Sequence, residues 1–297
     1  MSFLVATDLS ENSRGALRFA ADVARRTSGE LVVMHVVDIA ASDNSWRILV
    51  EAPDELERSA VLQAREDLEA FFEAAVEPAL RPERVRFTVE LGNPIDQILD
   101  VAEALQPSLV VAGTRGASRL QELLLGSTAN RLVRQSSSPV ALIPPSQHHG
   151  EIRTIVAPMD FSDASLESLR FGAALARRHG AALRIMHAFV LPELSALQTS
   201  VANVSIQLQQ VSAGKAQQIK EYCSVVDLEG IDHTITILQE PPHLAIVDFA
   251  RDEKADVICM GSHGRRGWAR FFLGNTAERV LNHTPCAVIT VRHIAKG

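Results

Sequence analysis

Two segments of the chain carry three glycines each at the same spacing, next to residues that can hydrogen-bond to phosphate. The glycines are Gly113, Gly116 and Gly126 in the first segment, and Gly261, Gly264 and Gly274 in the second. The last glycine of each trio precedes a predicted helix, and the free N–H groups and positive dipole at a helix N-terminus attract anions. The spacing therefore favours a phosphate-binding loop. The alternative is a pair of tight turns, because glycine also serves where a turn needs positive φ.

The two segments belong to a longer internal duplication. An offset of 152 residues brings Asp8 onto Asp160, Ser10 onto Ser162 and His35 onto His187, and the glycine segments match at an offset of 148. Each copy has the length of a whole domain rather than of a solenoid repeat. The segment "PPSQHHGE" between them has the composition of a linker. We therefore predict domain 1 at residues 1–144, a linker at 145–151 and domain 2 at 152–297.

Strand and helix patterns alternate in both copies. A short apolar run at residues 3–7 is followed by a helical pattern with Leu17, Ala20, Ala21 and Ala24 on one face, which Ser10 is expected to cap, as Ser162 does in the second copy. The run "ELVVMHVV" indicates a strand covered on both faces. A long amphipathic helix is predicted from about Asp54 to Leu80, and "VRFTVEL", "PIDQILDVAEAL", "PSLVVAG", "STANRLVRQS" and "PVALIP" continue the alternation.

This alternation predicts the fold class: α/β, as two tandem doubly wound α/β sandwich domains. Each is expected to hold a five-stranded parallel sheet of order 3-2-1-4-5 flanked by helices. Ligands of such sheets bind at the carboxyl ends of the strands where the order reverses. Asp8 and Asp160 follow strand one, and Gly113 and Gly261 end strand four, so each pair is expected to meet at one crevice.

Other nucleotide and hydrolase signatures are missing from the sequence. No GxxxxGK[ST] motif, no GxGxxG after strand one and no GxSxG elbow occurs. A synthetase-type SGGxDS loop is also excluded, because "ATDLSENS" lacks its glycines. The site, if it binds a nucleotide, would rely mainly on backbone N–H donors, with hydroxyls such as those of Ser127 and Thr128 adding hydrogen bonds to phosphate oxygens.

The order Gly113-x2-Gly116-x9-Gly126-Ser127 resembles the ATP-binding motif of the universal stress protein family, and "TDLSENS", "HVVD" and "SSPVALIP" are similar to that family as well. The resemblance covers nearly the whole chain, once per half. It implies the fold described above, with adenine and ribose near the strand-one Asp and the end of strand two, and phosphates at the glycine loop. Carried over by resemblance, the nucleotide-binding residues are Asp8, Val37, Gly113, Arg115, Gly116, Gly126, Ser127, Thr128, Asp160, Phe189, Gly261, His263, Gly264, Gly274, Asn275 and Thr276.

The second copy departs from the family pattern at two of these positions. Asn275 stands where the motif has Ser or Thr, although Asn can also cap a helix and bond to a phosphate oxygen. Phe189 is bulkier than Val37 and could stack on adenine or fill its space. We therefore expect the first site to be the better nucleotide binder. His263 could be a phosphate contact or a solvated loop histidine, and both readings remain open.

Composition limits the classes of binding partner and indicates the cellular compartment. The net charge of −7 argues against a general nucleic-acid or acidic-membrane binder, and no run of 18 apolar residues predicts a membrane span. The apolar run at the N-terminus is interrupted by Asp8, and no basic region precedes it, so the pattern predicts a first strand rather than a signal peptide. The cysteines Cys223, Cys259 and Cys286 form no CxxC pair, which suits a reducing cytoplasm.

Two functions of different classes follow. The first is a cytoplasmic stress-response protein that binds ATP, with or without Mg²⁺, or a related adenine nucleotide at one or both repeats. It would act as a sensor or regulator, and hydrolysis would be slow at most, because the sequence offers no metal or catalytic constellation for rapid turnover. The second is a nucleotide-free scaffold. The resemblance implies that "PVALIP" and "PCAVITV" could pair within one chain, as in a fused dimer, and it also implies a homo-oligomer.

Overall fold

The computed structural model describes residues 1–38, 53–116, 125–145, 151–190, 214–215, 217–263 and 273–292. The chain divides into two compact units, Met1–Gly150 and Glu151–Gly297. Most of the predicted linker lies outside the described residues, as does Gly264. Each unit is described by itself below.

The first unit alternates strands and helices. Its strands are β1 Ser2–Thr7, β2 Glu30–Val37, β3 Arg84–Leu91, β4 Leu109–Gly113 and β5 Val140–Ile143. Its helices are α1 Arg14–Arg26, α2 Pro53–Ala75, α3 Pro94–Leu105 and α4 Ser127–Gln135. Short 3₁₀ turns at Glu11–Ser13 and Pro78–Leu80 precede α1 and β3.

The second unit repeats the order. Its strands are β6 Thr154–Pro158, β7 Ala182–Ala188, β8 His233–Leu238, β9 Val257–Gly261 and β10 Ala287–Val291. Its helices are α5 Asp163–His179, α6 at residues 217–223, α7 Pro242–Asp252 and α8 Asn275–His283.

Both units have the predicted strand order. In the first, β1 pairs in parallel with β2 and β4, β2 with β3 and β4 with β5, which gives β3-β2-β1-β4-β5. In the second, the parallel pairs of β6, β7, β8, β9 and β10 give the same order. The order 3-2-1-4-5 is therefore confirmed in each unit, and strands one and four lie side by side at the switch point.

The helical face predicted for α1 is the face that the core buries. Leu17, Ala20, Ala21 and Ala24 are all inaccessible to solvent. Leu169, which matches Leu17 in α5, is also fully buried. Small residues on this face let the helix lie close to the sheet: a β-carbon at Gly172 would be 3.4 Å from the β-carbon of Cys259 on β9. Close packing of α1 and α5 fixes the strand ends that carry Asp8 and Asp160.

Two local predictions were wrong in detail. The second helix ends at Ala75 rather than near Leu80, because Pro78 starts a separate 3₁₀ turn. Ser10 does not cap a helix with its side chain, since the 3₁₀ turn Glu11–Ser13 intervenes and α1 begins only at Arg14. Ser162 does cap α5: its Oγ accepts a hydrogen bond from the Ser165 N–H at 3.2 Å.

The cysteines are buried thiols. Cys259 is fully inaccessible, and Cys223 and Cys286 are 4% and 3% exposed. Burial raises the pKa of Cys223 to about 11 and raises the pKa values of the other two thiols as well. These side chains therefore act as small core residues, as the apolar sequence around Cys259 and Cys286 predicted. Separately, none of the helices in the described ranges is both long and apolar enough to span a membrane.

Candidate functional site

A cavity of about 530 Å³ opens at the carboxyl ends of β6 and β9 in the second unit. Its volume lies in the range of small-molecule sites. Six of the residues singled out from the sequence line it: Asp160, Gly261, His263, Gly274, Asn275 and Thr276. Segments about a hundred residues apart in sequence thus meet at the switch point, where a ligand of this fold class is expected.

Asp160 stands at the mouth of the cavity in a fixed turn. Its Oδ1 accepts hydrogen bonds from the Ser162 N–H at 3.0 Å and from the Ser162 hydroxyl at 2.5 Å. Phe161, between the two, has a φ of 64°, an uncommon conformation for a residue with a side chain. The turn leaves Oδ2 as a further acceptor, a group suited to a ribose hydroxyl or an adenine amino group.

The N-terminus of α8 forms the opposite side of the cavity. The Gly274 N–H donates to the Ser262 carbonyl at 3.0 Å, and the Ser262 N–H donates to the Val291 carbonyl at 3.0 Å. These bonds connect the start of the helix to β9 and β10. The first helical hydrogen bond runs from the Glu278 N–H to the Gly274 carbonyl, and no side chain caps the helix. The N–H groups of the first turn thus form an anion-binding end that opens on the cavity.

Gly261 ends β9 where the chain passes close to α5. A β-carbon at this position would lie 3.0 Å from the Ala164 carbonyl carbon and 3.0 Å from the Ser165 nitrogen. Both are backbone atoms of the first turn of α5, so a side chain would require the helix to move. Ser165 also lines the cavity. Glycine at 261 therefore keeps the floor of the cavity in place.

His263 follows β9 by two residues and lines the same cavity. Its Nδ1 lies 2.8 Å from the Ser262 Oγ, whereas its Nε2 is shielded from solvent and has no hydrogen-bond partner among the described residues. Partial burial, and secondarily the positive charge of Arg292, lower the pKa of the imidazole below its ordinary value. The ring therefore contacts Ser262 and lines the cavity, and its contact with a phosphate stays a prediction.

Phe189 is the residue of the second copy that does not fit its expected place. Its ring stacks on His187 at a centroid distance of 6.1 Å, and its neighbour Ala188, rather than Phe189 itself, lines the cavity. His187 in turn contacts the ring of Phe161 at 4.7 Å, and its Nδ1 is 2.7 Å from the Met159 carbonyl oxygen. The aromatic side chains thus pack behind the strand ends.

The first unit brings its own candidate residues together in a different way. Asp8 Oδ1 accepts hydrogen bonds from the Ser10 N–H at 3.1 Å and the Ser10 hydroxyl at 2.6 Å, as Asp160 does from Ser162. Asp8 Oδ2 would be 2.8 Å from a β-carbon at Gly116, so a side chain at this position would require the carboxylate to shift. The Gly116 carbonyl also accepts a hydrogen bond from Asn12 Nδ2 at 3.1 Å. The glycine loop is therefore tied directly to the turn after β1.

The remaining candidate residues of the first copy lie at the ends of β2 and β4 and at the start of α4. The Gly126 N–H donates to the Thr114 carbonyl at 2.9 Å, and α4 begins at Ser127 with no side-chain cap. A β-carbon at Gly113 would lie 3.2 Å from the Arg115 carbonyl oxygen. Ser127 is exposed and Thr128 is half-buried at the start of the helix. Val37 ends β2, where its carbonyl accepts from the Gly92 N–H.

Sequence patterns missed several residues of the site. Asn12 lies 104 positions from Gly116, and nothing in the spacing of single residues shows such a contact. In the second unit, the cavity also receives residues from β6, β7, α5, α7 and β9: Pro158, Met159, Ser165, Met186, Pro242, Ile246, Met260 and Ser262. The strand-end positions of Met159, Met186 and Met260 could have indicated them. The contribution of α7 depends on helix placement that the sequence does not carry.

The two matched serines should differ in their effect on stability. Ser162→Ala removes both a helix cap and a hydrogen bond to Asp160, so we expect the free energy of unfolding to fall by about 1–2 kcal/mol. Ser10→Ala removes only the hydroxyl bond to an exposed Asp8, and a change within about 0.5 kcal/mol is expected. Urea unfolding followed by circular dichroism measures both. Equal losses for the two variants would contradict the difference in capping.

Comparison with known proteins agrees with the geometry. The model of the universal stress protein family matches residues 1–144 and 151–292. The universal stress protein Rv1996 of Mycobacterium tuberculosis is 25% identical over 312 residues, covering 98% of this chain and 95% of its own. YxiE of Bacillus subtilis, also a universal stress protein, is 31% identical over 145 residues, 47% of this chain and 96% of its own.

Among solved structures, a universal stress protein from Archaeoglobus fulgidus has the same fold. It aligns with a TM-score of 0.64 and 21% identity over 98% of each chain. The family match covers both halves of the present sequence, and the match to the Mycobacterium relative covers 95% of that protein. The chain therefore belongs to the universal stress protein family and carries two copies of its domain.

Proposed function

We propose that the chain is a cytoplasmic stress-response protein that binds ATP, or a related adenine nucleotide, at the glycine loops of its repeats. It acts as a sensor or regulator, with slow hydrolysis at most. The observation that carries this proposal is the cavity of the second unit, where a carboxylate, a glycine strand end and an open helix N-terminus face one another.

Each part of the cavity suits one part of an adenine nucleotide. The first turn of α8, with Asn275 and Thr276, offers backbone N–H donors and polar side chains to phosphate oxygens. Asp160 accepts hydrogen bonds from hydroxyl or amino groups. Apolar side chains such as Met159, Met186 and Ile246 supply a surface for a planar base. A side chain at 261 would press on the first turn of α5, which carries Ser165 of the cavity lining.

The first repeat supports the same proposal through its backbone. The start of α4 is uncapped by any side chain, as in the second repeat. The Gly126 N–H donates to the Thr114 carbonyl, and Gly116 lies beside the Asp8 carboxylate. Asp8 repeats the turn of Asp160 with the same two hydrogen bonds. The expectation that the first site binds more tightly stays a prediction, and the variants below measure it.

The test is the nucleotide content of the protein purified under native conditions. We expect mass spectrometry of the denatured protein to find ATP near one or two equivalents per chain. Gly126→Val should remove the share bound by the first repeat and Gly274→Val that bound by the second, because each puts a branched side chain at the uncapped start of a helix. Gly214→Ala, where a β-carbon meets no atom of the described residues within 4 Å, is the matched control.

Purified protein without nucleotide, and without a thermal shift in millimolar ATP and Mg²⁺, would sink the proposal in favour of the scaffold function. Turnover is measured separately, as phosphate release from ATP by the wild-type chain. Rapid turnover that disappears in both glycine variants would contradict the sensor role, since it would show an efficient ATPase at the same loops.

A further inference from the structure

The two repeats place different basic side chains at matched positions of their glycine loops. Arg115 stands between Gly113 and Gly116, whereas His263 holds the corresponding position in the second repeat. A guanidinium keeps its charge throughout the accessible pH range, while an imidazole changes its charge near neutrality. The same ligand therefore meets a permanent cation in the first loop and a titratable ring in the second.

The contacts of His263 place this difference between the repeats at the cavity of the second unit. The ring lines the cavity, its Nδ1 is 2.8 Å from the Ser262 hydroxyl, and its Nε2 is shielded from solvent without a partner among the described residues. A buried nitrogen without a hydrogen bond is costly. A phosphate oxygen bound at the start of α8, which lines the same cavity, would supply an acceptor for an Nε2–H.

Ser262 allows the ring to gain a proton without losing its contact. A hydroxyl can either donate to a neutral Nδ1 or accept from a protonated Nδ1–H, so the 2.8 Å contact fits both states. When the hydroxyl donates to a neutral Nδ1, and also when the ring is an imidazolium, Nε2 carries a hydrogen that can be donated. Protonation therefore adds positive charge at this place while the ring keeps its position.

The charged groups around His263 set its state before a ligand binds. Burial disfavours the imidazolium, and the positive charge of Arg292, just after β10, disfavours it further. Asp160 brings a carboxylate to the same cavity from the end of β6. The described residues that α7 and α8 contribute to the cavity, such as Pro242, Asn275 and Thr276, are uncharged. A bound polyphosphate would be the strongest negative charge to enter this set.

We propose that His263 Nε2 donates a hydrogen bond to a phosphate oxygen of the nucleotide, and that binding at the second repeat takes up one proton from solvent while binding at the first does not. The inference rests on the proposed function and specifies its regulation. One chain would then hold two nucleotide sites, of which only the second responds to pH near neutrality.

The direction of the pH dependence follows from the burial and charge around the ring. Without ligand, the pKa of His263 is below its ordinary value, so the imidazole is neutral at pH 7. The phosphate raises that pKa, and the proton is taken up between the free and the bound value. Affinity at the second repeat should therefore be highest at low pH and fall as pH rises, by about tenfold for each pKa unit that the ligand adds.

The test is calorimetric titration of ATP between pH 6 and 8.5 into the full-length Gly126→Val variant. Because this substitution is expected to remove binding at the first repeat, the measured affinity is that of the second. Buffers of different ionisation enthalpy give the number of protons taken up, and a value approaching one is expected between the two pKa values. His263→Arg, which copies Arg115, should abolish the histidine part of the pH dependence while binding persists. ATP titrates its own phosphate in both proteins, so the difference between them isolates His263.

Two further variants complete the design. Arg115→His in the Gly274→Val chain should give the first repeat a pH dependence that it lacks. His263→Gln, neutral at every pH, should identify the His263 ring signal in NMR spectra of the wild-type chain, and ATP should raise the pKa measured from that signal. Equal pH dependence in the Gly126→Val chain with and without His263→Arg, with ATP still bound, overturns this inference alone. Absence of ATP binding at every pH overturns the proposed function as well.

Discussion

Gly261→Ala is expected to lower the free energy of unfolding of the second unit by about 1–3 kcal/mol, because the added methyl group meets backbone rather than a movable side chain. The new β-carbon would lie 3.0 Å from Ala164 and Ser165 in the first turn of α5. Displacement of that turn also moves Ser165, which lines the cavity, and disturbs the cap at Ser162. We therefore expect ATP affinity at the second repeat to fall at least about tenfold as well.

The duplication supplies the control for this experiment. At the matched position 113, the nearest atoms to a β-carbon would be the Arg115 carbonyl oxygen at 3.2 Å and the Asn12 carbonyl oxygen at 3.6 Å. Alanine also restricts the unfolded chain, which offsets part of the cost. Gly113→Ala should therefore change stability by less than about 1 kcal/mol. Urea unfolding measures both variants, and a larger loss for Gly113→Ala than for Gly261→Ala would refute the packing argument.

Leu169→Ala is expected to cost about 2–5 kcal/mol, since it empties a fully buried position between α5 and the sheet. Leu17→Ala, its counterpart in α1, should cost a similar amount in the first unit. Hydrogen exchange followed by mass spectrometry separates the two. Leu169→Ala should lower the protection of peptides from residues 152–190 and 217–263, and Leu17→Ala that of peptides from residues 1–38 and 53–116.

Leu62→Ala is the surface control, because Leu62 is 64% exposed and its loss should be within about 0.5 kcal/mol. If either core substitution lowered protection equally in both units, the prediction of unit-specific destabilisation would fail. The division of the chain into compact units Met1–Gly150 and Glu151–Gly297 would then not correspond to separately unfolding bodies.

The sequence predicted most of the fold because periodicity and repetition recorded it twice. Continuous apolar runs such as "ELVVMHVV" indicated covered strands, and the spacing of Leu17, Ala20, Ala21 and Ala24 indicated the helical face that the core buries. The ends of elements were predicted less well. Ser10 and Ser162 occupy matched positions, yet only Ser162 caps a helix, because the turn Glu11–Ser13 delays the start of α1. Caps depend on local backbone geometry that residue type alone does not determine.

The site was predicted in its backbone and less completely in its side chains. Glycines and strand ends identify positions along the chain, so the meeting of Asp160, Gly261 and Gly274 could be expected from topology. The directions of side chains could not. Phe189 stacks on His187 instead of lining the cavity, and Asn12 reaches the Gly116 carbonyl over 104 residues. Such contacts depend on how rings and amides pack in three dimensions.

The hydrogen bond from Asn12 to the Gly116 carbonyl has a consequence for how the two repeats could diverge after duplication. The matched residue in the second repeat is Ala164, which has no amide to make such a bond. In a protein with a single copy of the domain, any substitution alters every site that the gene encodes. Here each site is encoded by its own residues, so substitutions can change one site without changing the other. One loop can carry an anchor and a permanent cation while the other carries a proton-responsive ring, and a single transcript still delivers the two sites in equal number.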